Sequence, residues 1–220
     1  EAEYLNRIDG LIVGENPRSG IVMRGKFYHP NMGFQFDIPS GWKAKNEASS
    51  VTLVDPTGRG ILVFSGGKGA TPEKAARDFV ATSKMEPLRS GEVTIGGRKG
   101  YMVESSVATS NGNMLVRNEF LSYGGEVFGF LSYSSVEEIE KYRPAFLSVS
   151  KSFGPIDNAA IKEIEPTRLK VITAKKADRF SSFLGNDFPY GMDESDLAII
   201  NQVELDSTVE AGRKLKVVGN

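Results

Sequence analysis

The chain has 220 residues, of which 40% are hydrophobic and 25% charged, and its formal net charge is −1. This composition is typical of a globular protein with one large or two ordinary domains. The balanced charge argues against binding to nucleic-acid phosphates, and no apolar run approaches the roughly 20 residues of a membrane-spanning helix.

Residues 1–20 are predicted to form an extended arm with a short helical stretch near Tyr4, because the rest of this segment is rich in turn residues. From residue 21 to residue 46 the hydrophobic period becomes two. Phe34 and Phe36 alternate there with polar residues, which predicts a strand with one buried face. The chain begins without the basic and apolar stretches of a secretion signal, so we expect a mature product or a piece of a longer protein.

Residues 51–54 and 60–64 are predicted to form a hairpin, with Asp55 as a turn residue at the surface. Thr71 and Pro72 then indicate the start of a helix, since threonine caps free N–H groups and proline suits the first helical position. The expected buried stripe of this helix consists of Ala75, Ala76, Phe79 and Val80.

Four further strands are predicted at residues 90–95, 99–108, 113–123 and 126–134. Glycine-containing turns separate them, which favours an antiparallel meander. A helix is predicted after Ser135, and Pro144 should interrupt it and begin a second helix. The expected buried residues of that second helix are Phe146, Leu147, Val149 and Phe153. Residues 155–167 are predicted to be a linker.

The sequence offers little for catalysis. It contains no cysteine and only one histidine, His29, whereas zinc enzymes use two or three histidines and serine triads need a histidine base. No G-x-S-x-G motif is present to pair with His29. We therefore expect no catalytic residues, no metal site and no cofactor within this chain.

Trp42 lies close in sequence to Phe34 and Phe36, and such a group of aromatic residues can form a platform that stacks on sugars. Aromatic residues at strand spacing are more often part of a core. The core interpretation is therefore favoured.

The last fifty residues carry the most specific pattern. A strand at residues 169–173 leads into Asp178, a helical segment ends at Asn201, and Gly212 precedes a final strand. This order resembles a LysM module, a small strand-helix-helix-strand unit. The sequence departs from that family at Ala177, Arg179 and Arg213, and in the longer connection over residues 185–191.

The LysM resemblance implies binding of peptidoglycan or another glycan that contains N-acetylglucosamine. The contacts would come from two loops, residues 175–180 and 202–205. The implied polar lip of a shallow groove consists of Lys175, Asp178, Arg179 and Gln202, with Phe180 as a stacking surface. Because the loops depart from the family pattern, a module that keeps the fold but binds no sugar is an equal alternative.

A second resemblance starts near the N-terminus. Four segments, residues 8–11, 14–20, 27–30 and 34–42, resemble the region after the catalytic domain in bacterial periplasmic zinc metalloproteases of the HtpX/BepA type. The chain has no HExxH motif, so the resemblance implies the non-catalytic C-terminal region, with zinc held by the absent catalytic domain. It also implies a role for His29 as a regulatory ligand to that zinc, although a lone histidine is more often structural.

The middle of the chain is similar in its order of elements to PsbP-like α/β/α sandwiches. The predicted fold class is therefore α+β, with an antiparallel sheet flanked by helices and then a LysM-like module. The predicted divisions are an arm at 1–20, a PsbP-like domain at 21–154, a linker at 155–167 and the module at 168–220.

The expected function is that of an accessory region of a periplasmic protease, and the alternative is a docking module without carbohydrate affinity. Its expected partners are peptidoglycan, its own protease domain and other proteins of the cell envelope.

Overall fold

A computed structural model describes residues 2–13, 19–83, 85–185, 188 and 192–219. The chain divides into two compact units. The central unit comprises residues 19–162, and the terminal unit combines residues 1–18 with residues 163–220. None of the helices in the described ranges is long and apolar enough to cross a membrane.

The helices are, in chain order, α1 (Ala2–Ile8), α2 (Pro72–Ser83), α3 (Ile139–Lys151), α4 (Ala159–Lys162) and α5 (Glu194–Asn201). The strands of the central unit are β1 (Ile21–Met23), β2 (Lys26–His29), β3 (Phe34–Asp37), β4 (Lys43–Asn46), β5 (Ser50–Val54), β6 (Ile61–Gly66), β7 (Glu86–Ile95), β8 (Arg98–Thr109), β9 (Gly112–Tyr123), β10 (Glu126–Ser135) and β11 (Gly154–Pro155). Those of the terminal unit are β12 (Arg168–Thr173), β13 (Asp178–Arg179), β14 (Thr208–Val209) and β15 (Lys214–Gly219).

The central unit contains two antiparallel sheets. The larger has seven strands in the order β4-β5-β6-β10-β9-β8-β7, and the smaller has the order β1-β2-β3-β11. Helix α2 packs against one face of the larger sheet, where buried Ala75 and Ala76 contact Val103 and Phe120. The predicted α+β class, its antiparallel pairing and the helix start at Thr71 are confirmed; the Thr71 hydroxyl accepts the Lys74 N–H at 3.2 Å.

An aromatic core lies on the other face of the larger sheet, together with α3 and the smaller sheet. Phe34 and Phe36 are fully buried, and the Phe64 and Phe128 rings stack at 5.4 Å. Trp42 is half-buried and packs edge-on against Phe146 at 5.8 Å. The core interpretation of these aromatic residues is therefore confirmed, and no sugar-stacking platform is formed by them.

Helix α3 differs from the prediction, because it continues through Pro144 instead of ending there. Proline removes one backbone donor, so the Glu140 carbonyl loses its usual intrahelical partner. The buried face of the helix, with Tyr142, Phe146 and Val149, packs into the aromatic core along its whole length. That packing outweighs one missing hydrogen bond.

Asp55 is another departure, since only 5% of this predicted surface residue is exposed. Its carboxylate accepts N–H groups of Thr57, Arg59 and Gly60 at 2.7–3.0 Å, and the Tyr142 hydroxyl lies 3.3 Å away. Burial alone would raise the pKa of Asp55, but the backbone hydrogen bonds outweigh it and hold the pKa well below its usual range. The carboxylate thus fixes the turn between β5 and β6.

The terminal unit is built on the antiparallel pair β12–β15, in which Leu169 faces Val218 and Thr173 faces Lys214. Residues 2–13 of the segment predicted as an extended arm instead belong to this unit. Helix α1 is followed by hydrogen bonds from Gly10 N–H to Leu169 O, 2.8 Å, and from Val13 N–H to Thr167 O, 2.9 Å. These bonds extend the pair at the free edge of β12.

Between β12 and α5 the predicted first helix is reduced to a four-residue 3-10 turn, Phe180–Phe183. Two serines, which are weak helix formers, occupy the middle of this turn. The predicted long connection over residues 185–191 lies largely outside the described residues. Asp193 then caps α5 by accepting the Ser195 N–H at 2.8 Å.

Replacement of Asp55 with Ala is expected to lower the free energy of unfolding by about 3 kcal/mol, because the buried N–H of Gly60 and the part-buried N–H groups of Thr57 and Arg59 lose a charged acceptor. Urea unfolding of the variant against the wild type measures this change. Asp55→Asn keeps one acceptor oxygen, so its free energy of unfolding should lie between those of the wild type and Asp55→Ala. Glu92→Ala removes an exposed carboxylate of the same unit and serves as the control; a loss no larger than the control's would contradict the assigned role.

Candidate functional site

Phe180 cannot be the predicted stacking surface, because its side chain is fully buried. It lies in the core of the terminal unit, where it is clustered with Leu197 and Leu215. In the sequence, Phe180 stands beside polar residues in a predicted loop. This pattern does not indicate that its side chain is directed inward. Any sugar contact at this loop would have to come from polar side chains.

The first predicted binding loop is hydrogen-bonded to residues 207–209, which follow the second predicted loop. Asp178 and Arg179 form β13, which pairs with Thr208 and Val209 of β14. The next N–H along the chain, that of Phe180, donates to Ser207 O at 2.9 Å. The backbone of residues 178–180 is therefore already engaged, and a ligand at this part of the loop would meet side chains instead.

Of the first-loop residues, Lys175 and Arg179 are exposed and Asp178 is half-buried. The Asp178 carboxylate is 2.9 Å from the Lys176 ammonium and accepts the Arg179 N–H at 2.9 Å. The hydrogen bond from Lys176 lowers the pKa of Asp178, so this carboxylate stays charged at neutral pH. The loop presents a polar, mixed-charge surface.

Gln202 stands apart from that surface. It ends α5 in a left-handed conformation, with φ 55° and ψ 48°, which is uncommon for a residue other than glycine. It lines two described depressions, and neither is lined by Lys175, Asp178 or Arg179. The structure therefore does not bring Gln202 and the first-loop residues together in either depression.

Asn201, which immediately precedes Gln202, connects α5 to the backbone of β15. Its amide nitrogen donates to Leu197 O at 2.8 Å and to Lys216 O at 2.7 Å, and its oxygen accepts the Lys216 N–H at 2.8 Å. Because β12 occupies the opposite edge of β15, these bonds satisfy the strand's other edge. Asn201 therefore fixes the C-terminal end of α5 against β15.

The larger of the two depressions, about 700 Å³, is basic. Arg213, Lys214 and Lys216 line it together with Tyr4 and Gln202. Of these residues, only Gln202 is predicted from the sequence to be a site residue. A signal was present, because Lys214 and Lys216 flank Leu215 and must share one face of a strand whose other face is buried.

His29 lies at the end of β2, half-buried in a cavity of about 360 Å³ in the central unit. Its ring contacts the Phe34 ring, with centroids 5.3 Å apart. Its Nδ1 accepts the Met32 N–H at 3.4 Å, a long bond that the same N–H shares with His29 O at 3.2 Å. Burial lowers the pKa of His29, so the ring is neutral at pH 7.

A neutral imidazole that accepts at Nδ1 carries its proton on Nε2. Zinc binding through Nε2 would require that proton to move to Nδ1, which costs only the long bond from Met32. Within the described ranges, no three histidine or acidic side chains converge to hold a metal ion. His29 can therefore contribute one ligand to a site completed from elsewhere.

A second set of buried charges in the central unit forms a structural network. Glu104, 5% exposed, accepts hydrogen bonds from Arg89 at 3.0 Å and from Arg143 at 2.9 Å, while Arg117 binds Glu119 at 2.6 Å. Burial would raise the pKa of Glu104, but the two arginines hold it below its usual range. A carboxylate paired in this way is a poor general acid or base.

No protein-family model matches the chain, and no curated protein matches it. Similar solved structures include the cyanobacterial PsbP (CyanoP) of Synechocystis, which is 15% identical, with 61% of this chain and 95% of that chain covered and a TM-score of 0.48. A protein from Bacteroides thetaiotaomicron is 17% identical, with 67% and 53% covered and a TM-score of 0.47.

LpqN, which is involved in cell envelope biogenesis of Mycobacterium tuberculosis, is 15% identical, with 69% of this chain and 94% of that chain covered and a TM-score of 0.38. These identities and TM-scores assign the chain neither a family nor a function.

The lowered pKa of His29 predicts a pH dependence of stability. As pH falls below about 6.5, the unfolded chain takes up a proton on this residue before the folded chain does, so protonation favours unfolding. The free energy of unfolding should therefore fall more between about pH 8 and pH 5 for the wild type than for His29→Asn. Urea unfolding at both pH values measures the difference, in which the contributions of other groups cancel. If the free energies of unfolding of the wild type and His29→Asn differed by the same amount at both pH values, burial of a neutral His29 ring would be contradicted.

Proposed function

We propose that this chain is a non-catalytic binding region: the C-terminal accessory part of a periplasmic zinc protease, which attaches that enzyme to the cell wall or presents partners to it. The proposal places the protein in the periplasm or at the cell envelope, with peptidoglycan, envelope proteins and its own protease domain as partners. The catalytic zinc would be held by that protease domain.

The observation that carries the proposal is the architecture of the terminal unit. Strand β12, the helical turn Phe180–Phe183, helix α5 and strand β15 occur in the order that the LysM resemblance implies, with the short strands β13 and β14 between them, and β12 and β15 pair antiparallel. The bonds of Asn201 to the backbone of β15 support the same interpretation. In this LysM-like arrangement, the exposed polar residues Lys175 and Arg179 with Asp178 are the proposed glycan contacts of the first loop.

Binding to purified peptidoglycan sacculi tests glycan affinity. A variant with Lys175→Ala, Asp178→Ala and Arg179→Ala should be retained several-fold less than the wild type, because it loses the polar side chains of the first loop. A matched control, Lys43→Ala, Glu92→Ala and Lys99→Ala, removes the same charges from exposed positions of the central unit. Co-sedimentation followed by quantification of bound protein provides the measurement. Equal retention of all three proteins would contradict a binding role for this loop.

A docking module without carbohydrate affinity is the second candidate. It is favoured by the burial of Phe180 and by the backbone pairing of β13 with β14, because the one aromatic side chain of the first loop is inside the core and the backbone of Asp178 and Arg179 is already paired. Absence of wild-type retention on sacculi would favour this candidate.

The protease relationship has its own test. The reading frame upstream of this sequence should encode an HExxH helix, and the chain added to that isolated protease domain should inhibit it through His29. His29→Ala should inhibit less, and His29→Asn, which keeps the size of the side chain but offers a weaker ligand, should behave like His29→Ala. Equal inhibition by wild type and both variants would reject the role of His29, and absence of an upstream HExxH would reject the protease parent.

A further inference from the structure

The basic depression of the terminal unit carries more positive charge than its structural setting explains. Arg213, Lys214 and Lys216 line it, and no acidic side chain does. None of the three is ion-paired with a carboxylate among the described residues. The terminal unit as a whole is acidic, with 14 Asp and Glu against 10 Lys and Arg. The average composition of the terminal unit therefore does not account for this cluster of positive charges.

Part of this charge has a structural role at the C-terminal end of α5. Arg213 donates to Asn201 O at 3.3 Å, and the Lys216 ammonium donates to Ile200 O at 2.8 Å. A helix C-terminus is equivalent to roughly half a negative charge. Three full positive charges exceed this several-fold, and Lys214, which is exposed, makes no such bond. The excess charge favours an anionic ligand.

An aromatic ring completes the depression. Tyr4 of α1 is 57% exposed, whereas its neighbour Leu5 is buried and anchors the helix. The Lys216 ammonium lies 5.6 Å from the centre of the Tyr4 ring. The ring offers an apolar face with a polar edge, a surface suited to the C–H face of a sugar.

Gln202, which ends α5 in a left-handed conformation, also lines the depression and carries an amide group. Amide groups bind hydroxyl and acetamido groups, while guanidinium and ammonium groups bind carboxylate or phosphate. A volume of about 700 Å³ is within the range of small-ligand sites. One depression thus combines the three contacts that an acidic sugar unit requires.

We propose that this depression binds an anionic unit of a wall glycan, with its carboxylate or phosphate oxygens held by Arg213, Lys214 and Lys216 and its sugar face on Tyr4. The inference rests on the proposed function but places the principal contact away from the two loops implied by the LysM resemblance. Gln202 is the one residue that both sites share.

Calorimetric titration tests the site with three probes: a disaccharide–peptide fragment of peptidoglycan with free carboxylates, the same fragment with its carboxylates amidated, and a glycerol-phosphate polymer. The acidic fragment should bind more tightly than the amidated one, and added salt should weaken it. Tighter binding of the phosphate polymer would instead identify phosphate as the anion. Binding of neither anionic probe, or equal affinity for the acidic and amidated fragments with no binding of the polymer, would overturn the proposal.

Variants locate the binding site. Lys214→Gln should weaken binding about two- to fivefold, the effect of one surface ion pair, while Lys99→Gln makes the same charge change in the central unit and should have no effect. Tyr4→Ala should also weaken binding, and Tyr4→Phe should retain it. Circular dichroism establishes that each variant is folded. Wild-type affinity of Lys214→Gln and Tyr4→Ala would reject this site.

Sacculus retention separates this inference from the proposed function. If the first-loop variant loses retention while Lys214→Gln keeps it, the proposed function stands and the basic depression is rejected. If Lys214→Gln and Tyr4→Ala lose retention while the first-loop variant keeps it, the basic depression is the glycan site.

Discussion

The terminal unit depends on backbone hydrogen bonds that join the start of the chain to β12. Gly10 and Val13 donate to Leu169 and Thr167, and the Asp9 carboxylate accepts the Val171 N–H at 2.8 Å. These bonds hold α1 in the same unit as α5 and β15, although their residues are far apart in sequence. Without them Tyr4 would have no fixed position beside Lys216, and the basic depression would lose its aromatic wall. A segment that looks like an arm in the sequence is therefore part of the candidate site.

Local patterns predicted much of the fold. Alternation identified the buried face of β3, and glycine-containing turns divided the meander that becomes β7 to β10. The start of α2 followed from Thr71 and Pro72, because capping depends on a few adjacent residues. Features of this kind are encoded within about a dozen residues, which is why a sequence without relatives still reveals them.

The sequence predictions that are wrong concern residues whose contacts lie far away in the chain. The burial of Asp55 depends on Tyr142 of α3, and the burial of Phe180 depends on packing with α5 and β15. Pro144 is tolerated because the helix around it packs against strands formed much earlier in the sequence. Local preferences of about 1 kcal/mol per residue are readily outweighed by the burial of a large side chain.

In the candidate site, too, some features follow from the local sequence and others depend on contacts between residues that are far apart in the chain. The alternation of Lys214, Leu215 and Lys216 predicts which side chains point away from the core, and this pattern can be recognised in the sequence. What those lysines face is decided by α5 and α1. The C-terminus of α5 gives Arg213 and Lys216 a structural role, so their charge alone would not indicate a ligand. Lys214 is different, because it adds exposed charge where the helix end is already compensated and like charges repel. Among the described residues the Lys214 ammonium is paired with no carboxylate, and for this reason the depression, more than the loops, is the surface proposed to bind an anion.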